Sequence, residues 1–180
     1  MAAPVIRFSQ FAVSGVSPVN ARHLKNHASY VKQLGTTAAA YLDFGDLNLT
    51  DGKQNSPTKA VVAMVDHMND AKSQVYNLRF WAADITDFTA GTYYLNSWAS
   101  GVWLRNCALT DASGYFTPTI LPSGQNWKRQ DGGLAITASG ADAQVTQYMY
   151  MNLTVNTDVP VGTYGGDAGG FKYRLTFDYK

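Results

Sequence analysis

The chain has 180 residues, with 14 lysines and arginines against 13 acidic residues, so its formal net charge is +1. Because the basic residues are scattered along the chain, this balance argues against nucleic acid or an anionic membrane as the main partner. All 13 acidic residues are aspartate, which favours turns, and none is glutamate, which favours helices. With 16 glycines and many aromatic residues, the composition predicts a mainly β protein.

The length predicts one domain with a substantial core. The lone cysteine, Cys107, lies in an apolar run and is expected to be a buried small hydrophobe. Residues 1–7 lack the charged and apolar regions of a signal peptide, and no stretch is as apolar as a membrane helix. We therefore expect synthesis in a reducing cytosol, without export.

Residues 1–16 are predicted to be an N-terminal strand or an extended arm, with Val5, Phe8 and Phe11 as apolar anchors. The remainder, 17–180, is predicted to be a single antiparallel β-sandwich domain. A short helical insert is expected over 18–34 of that domain. Pro18 suits a first helical turn, and four apolar residues recur at helical spacing before Gly35; they are Leu24, Ala28, Val31 and Leu34.

Strand patterns follow this insert, and most of them carry aromatic residues. The predicted strands are 59–66, 73–82, 92–95, 101–109 and 134–137, with a further short strand inside 41–49. Between 112 and 133 the sequence is rich in Gly, Pro, Ser and Asn, which is typical of a long loop at one end of a sandwich.

The segment 144–156 alternates clearly between two faces. One face is predicted to be core and carries Val145, Gln147, Met149, Met151, Leu153 and Val155. Tyr148 and Tyr150 lie on the other face, either as an outward aromatic patch that serves as an interface or covered by a loop or the helix. Residues 171–180 also alternate, which predicts a final half-buried strand that completes the fold or pairs with another subunit.

Catalytic and metal patterns are missing or incomplete. His23 and His27 stand four residues apart, but no glutamate completes a zincin motif. The aspartate pairs at 66 and 70 and at 84 and 87 match no calcium loop, and no serine lies in a nucleophile elbow. We therefore expect no catalytic residues, no metal and no cofactor.

Aromatic residues are concentrated in the middle third of the chain. Trp98, Trp103 and Trp127 would suit a sugar platform if they shared an exposed face, and they would otherwise be ordinary core residues.

The order of several segments resembles small immunoglobulin-like β-sandwich proteins from virions of tailed bacteriophages, such as head decoration or cement proteins and tail-associated subunits. The segments that carry the resemblance are Pro4–Phe8, 56–62, 75–80, 159–164 and 173–179. The helical insert predicted over 18–34 has no counterpart in this resemblance. The resemblance implies an immunoglobulin-like or jelly-roll-like sandwich and a structural role without catalysis.

A protein of this kind would be found in the virion. Its partners would be copies of itself, as a homo-oligomer, and a major capsid or tail protein, with no nucleic acid or membrane. The interface candidates are Val5, Ile6, Phe8, Phe11, Tyr148 and Tyr150. Two other classes are open: an extracellular filament subunit that assembles by strand donation, and a carbohydrate-binding or adhesive module.

Overall fold

The computed structural model describes residues 2–13, 25–69, 73–83, 102–107, 121, 123–140, 144–155, 157 and 172–180. Strands dominate this part, with short 3-10 helices at Ala38–Ala40 and Leu49–Asp51 and 3-10 conformation at residues 25–26 as well. The strands are β1 (Val5–Phe11), β2 (Tyr30–Gln33), β3 (Gln54–Asn55), β4 (Lys59–His67), β5 (Val75–Ala83), β6 (Val102–Cys107), β7 (Ala135–Ile136), β8 (Met149–Val155) and β9 (Lys172–Tyr179). The prediction of a mainly β protein is confirmed. Within these residues no helix is long and apolar enough to cross a membrane.

The larger sheet is antiparallel and has the order β2, β1, β4, β8, β3, with β6 also paired to β8. Strand β1 pairs with β4 over its whole length and with β2 on its other side. The first strand is therefore an interior strand of the sheet. The alternative of an extended arm is wrong for Val5–Phe11, because these residues supply hydrogen bonds to two neighbours.

The smaller sheet is antiparallel as well and has the order β7, β5, β9. Strand β5 pairs with β9 from Val75↔Tyr179 to Ala83↔Lys172, and the register shifts between Tyr76 and Arg79. Asn77 lies at this irregularity with a φ of 54°, a left-handed conformation that asparagine tolerates better than most residues.

Residues 125–127 extend this sheet beyond the short strand β7. The Asn126 backbone N–H donates to the Leu78 carbonyl at 3.1 Å. The Asn126 side chain then accepts from the Phe80 N–H at 2.7 Å and donates to the Phe80 carbonyl at 2.8 Å. One asparagine thus supplies β5 with the bonds that a neighbouring strand would otherwise make.

Side chains from both sheets form one cluster, which we call the shared core. Its fully buried members include Val61, Val65, Val75, Leu78, Phe80, Trp127, Ile136, Met149 and Met151. Phe8 of β1 connects the two sheets, since its ring lies 5.4 Å from the ring of Tyr173 in β9 and 6.2 Å from that of Trp127. Burial of such side chains is the dominant favourable contribution to folding.

A second core lies on the opposite face of the larger sheet. It contains Phe11, Ala60, Val62, Met64, Val145, Tyr148 and Tyr150, with Tyr30 packed against it. As a result six consecutive residues of β4, from Ala60 to Val65, are buried. Antiparallel sheets commonly expose one face to water, so a strand buried on both faces marks β4 as the centre of the molecule.

The helical insert predicted over 18–34 is not shown by the structure: residues 25–26 are in 3-10 conformation, but residues 30–33 form strand β2. The Tyr30 ring meets the Phe11 ring edge-on at 5.8 Å, and the Leu34 N–H donates to the Phe8 carbonyl at 2.9 Å. Val31, which the helical spacing placed on a buried face, is 49% exposed. Residues 18–24 of the insert lie outside the described part.

Two further strand predictions differ from the structure. Residues 42–48 are irregular rather than a strand, and they bury Phe44 in the shared core. The alternation across 144–156 breaks at residues 147–148. Val145 therefore joins the second core, whereas Met149 lies in the shared core. The strand predicted at 92–95 lies outside the described residues.

Candidate assembly edge

Strand β9 combines an apolar inner face with a polar outer face. Tyr173, Leu175 and Phe177 pack against the shared core. Because side chains alternate along a strand, Arg174, Thr176 and Asp178 lie on the other side of the sheet. The predicted final strand is confirmed.

Among the described strands, β9 has a neighbour on one side only, which is β5. Its exposure agrees with that position: no residue from Tyr173 to Tyr179 is buried, in contrast to the centre of β4. An edge strand presents backbone N–H and C=O groups that can pair with another chain. Strand β9 is therefore a candidate assembly edge.

The remaining outer strands in the described part are less suitable. Strand β2 has four residues, and β3 and β7 have two each. Strand β6 has six residues, which pair with β8, but its side chains lie outside the described part. The eight residues of β9 are the longest of these edges.

Side chains on the outer face fasten β9 to its own sheet. The Trp81 indole Nε1 donates to Thr176 Oγ1 at 2.8 Å. The Asn77 side-chain amide donates to Asp178 Oδ2 at 2.7 Å, and Arg79 Nη2 lies 3.5 Å from Asp178 Oδ1. These contacts hold β9 against β5, and no other strand of the described part pairs with β9.

The end of β9 is fixed by further bonds. The Lys180 carbonyl accepts from the Ser73 N–H at 2.6 Å and from the Gln74 N–H at 3.1 Å, and the Lys180 N–H donates to the Gln74 carbonyl at 3.1 Å. Strand ends usually fray. Here the end at Lys180 is held in register against residues 73–74.

The cross-strand contacts at Trp81 and Asp178 were not predicted from the sequence. Alternation in 73–82 and 171–180 indicates two strands, but it does not say that they pair with each other. The bulge at Asn77 also shifts the register in mid-strand, which no alternation pattern reveals.

The interface candidates in β1 belong to the fold itself. Ile6 and Phe8 pack against the shared core, and Phe11 is buried in the second core. Val5, at the start of the strand, is 43% exposed. The structure therefore brings three of these four side chains into the two cores rather than to one exposed surface.

Tyr148 and Tyr150 are buried as well, with exposed fractions of 6% and 2%. The Tyr148 ring lies 5.5 Å from Phe11 and 6.2 Å from Tyr150. Burial, with a smaller contribution from Tyr150, raises the pKa of Tyr148 to about 12. The expectation of an outward aromatic patch is wrong, and the alternative that these residues are covered agrees with the structure.

Trp127 cannot contribute to a sugar platform, because its side chain is completely buried. Its ring lies 5.1 Å from Phe80, and its Nε1 donates to the Gln147 carbonyl at 2.8 Å. Trp103 lies in β6, where only the backbone is described, and Trp98 lies outside the described residues.

In the described part of the chain, no three metal-binding side chains come together. His27 accepts from the Ser29 N–H at 3.2 Å through Nδ1. Asp66 pairs with Arg7 at 2.7 Å and lies 3.3 Å from His67 Nε2, so its carboxylate belongs to a surface ion pair. His23, Asp70, Asp84 and Asp87 lie outside the described residues.

The comparisons with known proteins add nothing to this geometry. No family model matches this chain, and no curated protein and no solved structure matches it either.

Proposed function

We propose that this chain is a non-enzymatic structural protein of a virion, either a capsid decoration or cement protein or a tail-associated subunit. It stabilises a lattice through contacts with copies of itself and with a major capsid or tail protein. The observation that carries the proposal is the edge strand β9, which is eight residues long, has no buried residue from Tyr173 to Tyr179, and pairs with β5 alone among the described strands. Such an edge offers a partner backbone hydrogen bonds in a set register.

The fold that suits this role is a single β-sandwich of immunoglobulin-like or jelly-roll-like type. The shared core supports it, because one face of each sheet contributes side chains to the same cluster. A small rigid sandwich with held strand ends is well suited to occupy repeated positions on a shell, where its surface rather than a cleft makes the contacts.

The two other function classes have less support. A filament subunit that donates a strand must release that strand from its own sheet. Strand β1 lies between β2 and β4, and removing it would open the larger sheet. The hypothesis of a sugar-binding module loses support because Trp127, one of its three platform residues, is buried.

Immunogold microscopy tests the virion proposal. An antibody raised against the purified protein is applied to particles produced by the genome that encodes this chain. Regular gold labelling on heads or tails is the expected result. Particles that stay unlabelled, while the lysate freed of particles contains the protein, would overturn it.

Quantitative mass spectrometry of the same purified particles gives a second reading. A lattice component should occur in a fixed copy number per particle that survives washing in salt, whereas the copy number of an adventitious protein should fall with each wash.

In the immunogold experiment, an antibody raised against an unrelated β protein serves as the labelling control.

A further inference from the structure

The chain contains two aspartate–glycine pairs, Asp51–Gly52 and Asp131–Gly132. Each pair ends a turn in which the glycine N–H donates to the carbonyl three residues earlier, to Leu49 at 3.2 Å in the first turn and to Arg129 at 2.9 Å in the second. Both glycines have a positive φ, 100° in the first pair and 82° in the second. The two pairs therefore have a similar backbone setting, and the difference between them lies in the side chains.

The two aspartates differ in their partners. The Asp131 carboxylate is held at both oxygens, since Arg129 Nε donates to Oδ1 at 2.8 Å and Arg129 Nη2 donates to Oδ2 at 2.5 Å. The Gly133 N–H donates to Oδ1 as well, at 2.9 Å. Asp51 is exposed, and within the described part of the chain its carboxylate makes no hydrogen bond or ion pair.

An aspartate followed by glycine can close into a cyclic imide, because glycine has no side chain to obstruct the approach of its nitrogen. The glycine nitrogen forms a bond to Cγ of the aspartate and loses its proton, and the carboxyl hydroxyl leaves as water. Water then adds to one of the ring carbonyls. Addition at the main-chain carbonyl breaks its bond to nitrogen and leaves the backbone running through Cγ, which is isoaspartate. The sequence of steps consumes no oxidant or reductant.

We propose that Asp51 is a site of spontaneous isoaspartate formation in the folded protein and that Asp131 is protected from the same reaction. The inference goes beyond the proposed function and does not depend on it. The exposed Asp51 side chain is free to turn toward the Gly52 nitrogen. Space around this glycine is open, since no atom beyond the adjacent residues lies within 4 Å of the position that a Cβ would take.

Arg129 protects Asp131 in two ways. Its paired hydrogen bonds must break before Cγ of Asp131 can turn toward the Gly132 nitrogen. The bond from Arg129, followed by that from Gly133, also lowers the pKa of Asp131 to about 2. Ring closure proceeds from the protonated carboxyl, because the ionised form has no hydroxyl to release as water. In mildly acidic buffer Asp131 therefore holds less of the reactive form.

The position of Asp51 determines what the modification does to the fold. Isoaspartate lengthens the backbone by one carbon shortly before strand β3, whose two residues pair with Thr154 and Val155 of β8. Exposed turns tolerate such changes better than cores do. The modification thus loosens β3 and leaves the shared core and the second core in place.

Incubation of the folded protein in mildly acidic buffer, made with water enriched in the heavy oxygen isotope, tests the proposal. Each passage through the imide adds one heavy oxygen to the aspartate that reacted. Mass spectrometry of proteolytic peptides measures this label at both pairs over time, and chromatography of the same peptides separates aspartate from isoaspartate. The label should enter Asp51 at least about tenfold faster than Asp131, since one pKa unit alone is a factor of about ten in the protonated form.

The chain unfolded in guanidinium chloride is the reference, because Arg129 no longer holds Asp131 there and the two rates should converge. In the folded protein, Arg129→Ala should raise the labelling rate of Asp131 by about tenfold and leave that of Asp51 unchanged. Lys128→Ala is the matched control, since it removes an exposed charge next to Arg129 in the chain and should change neither rate. Melting temperatures identify a variant that fails to fold.

Three results would overturn the proposal: a folded protein in which Asp131 reacts as fast as Asp51, a ratio of the two rates that unfolding leaves unchanged, or a folded protein in which neither pair reacts although both react in the unfolded chain. A folded Arg129→Ala variant in which Asp131 stays unreactive would contradict the protection by Arg129. The virion role is tested separately by gold labelling and stands or falls without these results.

Discussion

Trp127 shows how a single residue can hold a loop and two sheets together. It stands in a stretch rich in glycine, serine and asparagine, yet its ring is buried between Phe8 and Phe80. Its indole N–H is bonded to the Gln147 carbonyl. Aromatic side chains of this size bury a large area and place their polar atom on a partner, so this residue fixes the loop against the shared core.

Replacing Trp127 with alanine should lower the free energy of unfolding by about 3–5 kcal/mol, because it opens a cavity in the shared core. Urea unfolding followed by far-UV circular dichroism measures the change. Leu134→Ala is the matched control, since Leu134 is 58% exposed and its loss should cost less than about 0.5 kcal/mol. A Trp127 variant as stable as this control would contradict the burial.

Asp131 makes the stability of the fold depend on pH in the acid range. Arg129 Nε donates to Asp131 Oδ1 at 2.8 Å, and the Gly133 N–H donates to the same oxygen at 2.9 Å. The bond from Arg129, followed by that from Gly133, lowers the pKa of Asp131 from 3.8 to about 2. A depressed pKa means that the ionised carboxylate stabilises the fold above about pH 4, and that this contribution disappears as the pH falls through about 2.

The variant Asp131→Asn should therefore lose less stability than the natural protein between about pH 4 and pH 2. Melting temperatures at a series of pH values across this window measure the difference. Asp46→Asn, at another exposed aspartate, is expected to leave the natural slope unchanged. Parallel curves for the natural protein and Asp131→Asn would show that the carboxylate contributes nothing to folding.

At the scale of elements, β1 is an interior strand that joins β2 to the rest of the larger sheet. It lies between β2 and β4 and contributes Phe8 to the shared core and Phe11 to the second core. A strand that pairs on both sides and packs on both faces cannot act as a detachable arm without loss of the fold.

Deleting residues 2–11 should abolish cooperative unfolding near the natural melting temperature, because it removes a central strand and part of both cores. Differential scanning calorimetry measures the transition. Deleting Ala2 and Ala3 alone, which precede the strand and are exposed, should preserve it. A truncated protein that melts like the natural one, yet no longer assembles, would restore the interpretation of residues 1–11 as a docking arm.

Some elements can be predicted from the sequence because one physical cause dominates them. The unbroken apolar run in β4 and the alternation in β9 each reflect their own burial, so the strands near 59–67 and 172–179 were predictable. Strand β2 was not, because helical spacing of Val31 and Leu34 arises by chance, and the deciding contact is Tyr30 on the distant Phe11. The burial of Trp127 likewise depends on contacts with residues that are distant in sequence, such as Phe8 and Phe80. Local periodicity carries no information about such contacts.

At the scale of the whole molecule, protection from solvent should decrease from β4 outward. Strand β4 has β1 and β8 beside it and is buried on both faces, whereas β9 has β5 as its one neighbour among the described strands.

Amide hydrogen exchange in a dilute sample should therefore be slowest in β4 and should alternate along β9, with the amides that face β5 slow and those that face outward fast. Two-dimensional NMR resolves the individual amides. Uniform slow exchange along β9 at every concentration would show that its outer side is already paired within one chain.

The hydrogen bonds between the Asn126 side chain and strand β5 have a consequence for the size of any assembly. By saturating β5 at Leu78 and Phe80, Asn126 closes the flank of the smaller sheet that lies opposite β9, next to the two-residue strand β7. If copies of the chain add through β9, joining two of them would use the long edge of each, and the described part of this sheet would offer a third copy no equivalent edge. Open-ended growth needs two different complementary edges, so addition through β9 would stop at two copies.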